Sequence, residues 1–193
     1  MIAQRGKDKE KLESYEEWVA RYRVRAGFLL GAVYLIWAQP TTERLALGAA
    51  IALLGLSLRA WSAGCLEKNQ KLATGGPYAY TRNPLYLGSA LAGFGLVIAG
   101  GRWWFLPVLF IFFATVYWPV MRKEQAHLER LFPEEFPPYA QAVPLFWPRL
   151  RPWAGSGSLV RFHLARYRRN RECRALFGAL VIVLFLCVRM YWN

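Results

Sequence analysis

Acidic side chains are scarce in this 193-residue chain: 12 Asp and Glu stand against 25 Lys and Arg, a net charge of +13. Histidine and cysteine are scarcer still. His127 and His163 are far apart, and Cys65, Cys173 and Cys187 are odd in number with no CxxC pair. That spacing offers neither a disulfide framework nor a zinc ligand set, so no metal is expected. A signal peptide is also missing from the reading, because the first 25 residues are charged and hold no apolar core before a small-residue cleavage site. A large positive charge in a soluble chain would point to nucleic acid. Here the Lys and Arg fall between hydrophobic runs, which makes them loop charges, and no nucleic-acid partner is expected.

Apolar surface is what the chain has in quantity. Hydrophobic residues make up 55%, with nine Trp, ten Tyr and twelve Phe, and the mean hydropathy is +0.16. Five apolar runs stand out: Val24 to Gln39, Leu45 to Ala63, Pro84 to Gly101, Trp103 to Met121 and Ala175 to Trp192. Each has about 16 to 19 residues, near the roughly 20 that cross a bilayer core as helix. One run would suit a buried helix; five predict an all-α, polytopic transmembrane bundle of about five spans. Residues 40–43 and 100–102 are too short to recross a membrane, so the pairs they join are antiparallel. Of the 25 Lys and Arg, 21 fall in residues 1–25, 62–83 and 122–174, while the hairpin tips carry only Arg44 and Arg102. The bias places the N-terminus and the motif segments in the cytosol, and, in a bacterium, the protein in the inner membrane.

A single membrane domain over 1–193 follows. Its parts are a cytosolic amphipathic segment (1–23), a four-span core (24–121) with a loop at 64–83, a cytosolic segment (122–152), a basic interfacial helix (153–174) and an additional span (175–193). In 10–25, Leu12, Tyr15, Val19 and Tyr22 recur at helical spacing. In 158–174, Leu159, Phe162 and Tyr167 interleave with six arginines, a pattern that lies on an anionic lipid surface, with Ser158 as a candidate cap. The third and fourth spans read as plain apolar helices.

Two segments depart from lipid-facing sequence. Residues 72–88 contain Gly75-Gly76-Pro77-Tyr78 and Arg82-Asn83-Pro84-Leu85-Tyr86. Asn83 before Pro84 predicts an N-cap and first helical residue, and a helix start favours an anionic group. The glycines let backbone approach a ligand, and Arg82 offers a fork for a carboxylate. Residues 122–148 place Glu124 one turn from the membrane edge, where an acid is costly unless paired or used. An ordinary capped loop, and a salt bridge from Glu124 to Arg122 or Arg82, are the structural alternatives.

In these two segments the chain resembles the isoprenylcysteine carboxyl methyltransferase and phospholipid methyltransferase superfamily. Its pattern is Gly-x-Tyr followed by Arg-His-Pro-x-Tyr-x-Gly, then Arg-x-Glu-Glu-x-x-Leu-x-x-x-Phe-Gly-x-x-Tyr-x-x-Tyr and Val-Pro. Gly76, Tyr78, Arg82, Pro84, Tyr86 and Gly88 fit the first half; Arg122, Glu124, Leu128, Phe132, Tyr139, Val143, Pro144 and Pro148 fit the second. Asn83 replaces His, Gln125 the second Glu, Pro133 Gly, Phe136 the first Tyr, and Ala142 a basic residue. The resemblance implies a membrane methyltransferase that uses S-adenosylmethionine and releases S-adenosylhomocysteine. It implies a cofactor pocket of Leu72, Gly76, Tyr78, Arg82, Asn83, Tyr86, Glu124 and Gln125, with Glu124, Arg82 and Tyr139 as catalytic candidates. Phe132, Phe136, Tyr139 and the prolines would form a lid, and the acceptor would be a lipophile reached from the membrane: a lipid amine, a prenylcysteine carboxylate or a thiol. Two other readings stay open. One is a membrane reductase using NADPH, whose Arg-His-Pro-Asn-Tyr-x-Gly-Glu differs here at Leu85 and Ser89. The other is a non-catalytic scaffold.

Overall fold

The computed structural model describes residues 22, 25–68, 70–155, 162–170 and 172–192. Residues 10–21 and 23–24 of the expected 10–25 helix, and residues 156–161 (with Ser158) and 171 of the 153–174 segment, lie outside them. Among the described residues the protein is helical throughout, with no strand. The spans are α1 (Arg25–Trp37), α2 (Thr42–Cys65), α3 (Pro84–Ala99), and a long fourth helix. This last is built from α4 (Phe105–Phe112), a five-residue π-turn (Phe113–Tyr117) and α5 (Trp118–Leu131). After α6 (Phe136–Ala142) and α7 (Leu164–Arg169), α8 (Cys173–Trp192) closes the fold. α2, the α4–α5 helix and α8 are each long and apolar enough to cross a membrane, and α1 and α3 are shorter apolar helices.

Small residues bring α2 and α3 together. Gly48, Ala52 and Gly55 on α2 face Gly88, Ala92, Gly95 and Ala99 on α3, at one-turn spacing. A Cβ added at Gly55 would sit 2.5 Å from the Ala92 nitrogen and 2.6 Å from the Gly88 oxygen. Close backbone approach of this kind is how helices associate where no hydrophobic effect separates them from lipid. The small-residue run at 88–95 therefore packs internally.

Both hairpin tips lie at one end, where Gln39 N–H donates to the Gly100 carbonyl at 2.8 Å. The core there is Tyr34, Ala38, Leu45, Val97, Ala99, Phe105 and Leu186. The carbonyls ending α1 accept from cations: Arg189 donates to Leu35 and Ile36 (3.1 and 2.8 Å), and Arg102 to Trp37 (2.9 Å). Trp37, Trp103 and Trp104 are exposed beside them, as suits a membrane interface.

The fourth span is not plain. Pro119 has no N–H for the Thr115 carbonyl and its ring crowds that oxygen. The helix widens ahead of it, so that Trp118 N–H reaches back five residues to Phe113, and the Thr115 hydroxyl bonds the Ile111 carbonyl at 2.7 Å.

At the opposite end, the segment 162–172 closes over the C-terminus of α2, whose last turn carries no basic residue of its own. Asn170 Nδ2 donates to the Ala63 and Leu66 carbonyls (2.8 and 3.2 Å), and His163 N–H to Gly64 (3.0 Å). Phe162 covers Gly64, and Arg166 pairs with Glu67. These groups satisfy carbonyls that a helix end leaves open. Only Leu164–Arg169 is helical here; His163 is extended, because its N–H is drawn to Gly64. Arg59, inside α2, forks onto Glu172 (Nε at 3.0 Å, Nη2 at 2.8 Å) and also reaches the Leu85 carbonyl and Ser89 of α3.

Candidate active site

The site lies where the 72–83 loop, the start of α3 and the second half of α5 meet. Gly76 opens a short 3-10 turn (Gly76–Ala79) in the left-handed region, φ +60°. A side chain there would be strained and would press on Cys65 Sγ at 3.2 Å. So Gly76 serves the turn and its contact with α2, in addition to any ligand approach.

Asn83 occupies the N-cap position before Pro84, but its side chain makes no cap bond. Its Nδ2 donates instead to the Leu145 carbonyl at 2.9 Å. The expectation of a side-chain cap is corrected: with Pro84 lacking an N–H, fewer donors await one, and the amide joins the loop to the segment after α6. Thr81 does likewise, its hydroxyl donating to Phe146 at 2.9 Å and accepting from Asn83 N–H at 3.3 Å. Backbone bonds continue the seam: Arg82 to Pro144, Arg149 to Tyr80, and Trp153 to Ala79, each at 3.0 Å. Residues 143–153 thus run as a strap along the loop.

Beneath the strap, Leu72, Phe136, Tyr139 and Val143 form a buried cluster flanked by Leu128, Phe132 and Trp153. The cluster brings together Phe132, Phe136 and Tyr139, the residues expected to form a lid, and Leu72 packs among them. Tyr139 is 2% exposed, and its hydroxyl donates to the Tyr78 carbonyl at 2.8 Å. Burial pushes its pKa above the usual tyrosine range.

Tyr86 and Glu124, 38 residues apart, meet: the phenol donates to Glu124 Oε2 at 3.2 Å. Among the described residues Glu124 forms no ion pair, so neither the Arg122 nor the Arg82 bridge exists. Arg82 Nη1 donates instead to Gln125 Oε1 at 2.5 Å. Burial disfavours the Arg82 charge, opposed by Tyr139 and aided by Arg122. Burial raises the Tyr78 pKa well above normal, and the Glu124 charge adds to the rise.

Four buried side-chain polar atoms lack a partner among the described residues: Tyr78 Oη, Arg82 Nε, Gln125 Nε2 and, at the far end, Arg189 Nε. An unmade buried bond costs about 1–3 kcal/mol, so three such atoms on the loop and α5 mark a place for a polar ligand. Sequence reasoning named Tyr78, Arg82 and Gln125. It missed Thr81 and Trp153, whose only signal was proximity to the motif.

Fold and site together define a helical membrane protein in which buried polar side chains gather where the 72–83 loop, the start of α3 and α5 meet, beside the strap. The chain belongs to the phospholipid methyltransferase family, whose profile matches residues 43–135. It is 34% identical over 150 residues to the cobalt-zinc-cadmium resistance protein CzcN of Cupriavidus metallidurans, covering 76% of this chain and 67% of that one. It is 34% identical over 139 residues to the nickel-cobalt-cadmium resistance protein NccN of Alcaligenes xylosoxydans xylosoxydans, covering 71% and 63%. The chain therefore spans about two thirds of the length of these relatives. No solved structure matches it.

Proposed function

We propose that this protein is an integral membrane methyltransferase that moves a methyl group from S-adenosylmethionine to a lipophilic acceptor: a lipid amine, a prenylcysteine carboxylate or a thiol. The observation that carries the reading is the trio of unpartnered buried atoms on Tyr78, Arg82 and Gln125 beside the Glu124 carboxylate, which accepts from Tyr86 and forms no ion pair among the described residues. S-adenosylmethionine presents a carboxylate, an ammonium, a sulfonium and ribose hydroxyls, and two N–H donors, a phenol and a carboxylate match that set.

When bound, the cofactor supplies a methyl group on a positively charged sulfur, open to in-line displacement without a metal. The chain's part is to hold, orient and dry the site. Glu124, steadied by Tyr86, would hold the ammonium or ribose. Arg82 and Gln125 would hold the carboxylate, and Gly76, Tyr78 and Asn83 would form the wall. Leu72 and Tyr139 act from the lid. Tyr139 is a positioning residue rather than a base, since its hydroxyl is committed to the Tyr78 carbonyl and burial holds its proton. An amine or thiol acceptor would lose its proton to Glu124 or water, whereas a carboxylate acceptor has none to lose. The charge bias supports a cytosolic site in a bacterial inner membrane. The relatives are named for metal resistance; among the described residues no three His, Cys, Asp or Glu group to hold a metal. In this reading any part in such resistance runs through methylation of a membrane-held acceptor.

The test is thermal unfolding of the detergent-purified protein with S-adenosylmethionine, S-adenosylhomocysteine or NADPH. A ligand of the folded state at 100 times its Kd adds about 2.7 kcal/mol. Stabilisation by the first two supports the methyltransferase. Stabilisation by NADPH alone replaces it with a reductase, and no response leaves a scaffold.

A further inference from the structure

The π-turn in the fourth span ends at Tyr117, seven residues before Glu124. With Met121 between them, these positions share one face of the helix. Tyr117 sits in an aromatic nest: stacked on Phe113 (centroids 4.5 Å, 17°), edge-on to Phe112 (5.7 Å, 73°), and edge-on to Tyr86 (5.5 Å, 63°). Tyr86 is the residue whose hydroxyl donates to Glu124. Met121, between Tyr117 and Glu124 on that face, is 2% exposed.

π-turns are rare and occur frequently at functional sites. Here Pro119 supplies the cause and Tyr117 receives the effect. A bare phenol–carboxylate bond at 3.2 Å is weak if the ring can swing; a ring held edge-on by a second aromatic, at about 0.5–1.5 kcal/mol per pair, stays aimed.

We propose that Tyr117 is a positioning residue of the cofactor site, acting through Tyr86 to fix the Glu124 carboxylate. It lies outside the residue set that the superfamily pattern marks. The inference rests on the proposed function for its ligand, though not for its geometry. It requires the ring of Tyr117, not its hydroxyl.

The experiment measures S-adenosylhomocysteine binding by calorimetry, together with ligand-free melting, for the full chain and for Tyr117→Phe, Tyr117→Leu, Tyr86→Phe and Tyr86→Phe/Tyr117→Leu. Tyr117→Phe is expected to bind like wild type. Tyr117→Leu and Tyr86→Phe are each expected to bind about tenfold more weakly, and the double variant no more weakly than either. Wild-type affinity in Tyr117→Leu, or additive losses in the double variant, overturns the proposal. If wild type binds no S-adenosylhomocysteine, the methyltransferase reading falls, and melting decides this inference alone. The drop in Tm caused by Tyr86→Phe then vanishes in the Tyr117→Leu background if the rings are coupled, and persists unchanged if they are not.

Discussion

Replacing Glu172 with alanine removes both carboxylate bonds from Arg59 and leaves its guanidinium inside a span with the Leu85 carbonyl and Ser89 as partners. The pair is largely shielded, at 21% and 11% side-chain exposure, so water replaces little of what is lost. Breaking such a pair from one side costs about 3–5 kcal/mol. The residual exposure and the two surviving bonds place Glu172→Ala near the lower end, about 3 kcal/mol. Arg59→Met, which strands the carboxylate, is expected to lose a similar amount. Arg59→Met/Glu172→Leu removes both charges and fills their space, and is expected to lie within about 1 kcal/mol of wild type. At about 2–4 °C per kcal/mol for a chain of this size, each single variant melts about 6–12 °C lower and the double variant near wild type. Thermal unfolding in one detergent, run as a double-mutant cycle, reads this directly. If the double variant loses the sum of the singles, the two residues are not coupled and the C-terminal segment is not fastened to α2 by charge.

Glu124→Ala is expected to weaken S-adenosylhomocysteine binding at least tenfold while costing about 1 kcal/mol of unliganded stability for the Tyr86 bond; calorimetry and melting on the same sample separate the two. Arg82→Lys keeps the charge but loses the planar donor set, and methyl transfer to membrane lipid extracts is expected to fall, whereas a purely topological arginine would leave it unchanged. Asn83→Asp turns the donor facing the Leu145 carbonyl into an acceptor, at about 1–3 kcal/mol, and is expected to hasten proteolysis within 143–153. Gly55→Val drives a side chain into the α3 backbone and is expected to abolish folded protein, while Gly93→Ala meets only the Leu109 tip at 3.2 Å and is expected to fold; size-exclusion profiles distinguish them.

Spans were legible because membrane helices leave a one-dimensional trace: long apolar runs and charge asymmetry are local properties. The start of α3 at Pro84 and the tip at Gly100 were readable for that reason. The two motif segments were readable by type and order, yet sequence could not say that Glu124 would take Tyr86 instead of an arginine. That choice depends on how α5 meets α3, a tertiary relation that no local pattern carries. Nothing in the local sequence assigns Arg59 a partner, because Glu172 lies 113 residues away. Asn83 read as a cap because local geometry permits one; the strap outcompetes it from 62 residues downstream.

The ends of the first two spans are completed by the last stretch of chain described: Arg189 donates to the carbonyls closing α1, and Asn170 to those closing α2. During synthesis α1 and α2 are therefore made before these donors exist, and they gain them only after about 105 (α2) to 150 (α1) further residues have been made. Ribosomes stalled before Asn170 would carry a nascent chain whose first hairpin is inserted but unlatched, which makes the order of translation part of how this membrane protein reaches its native state.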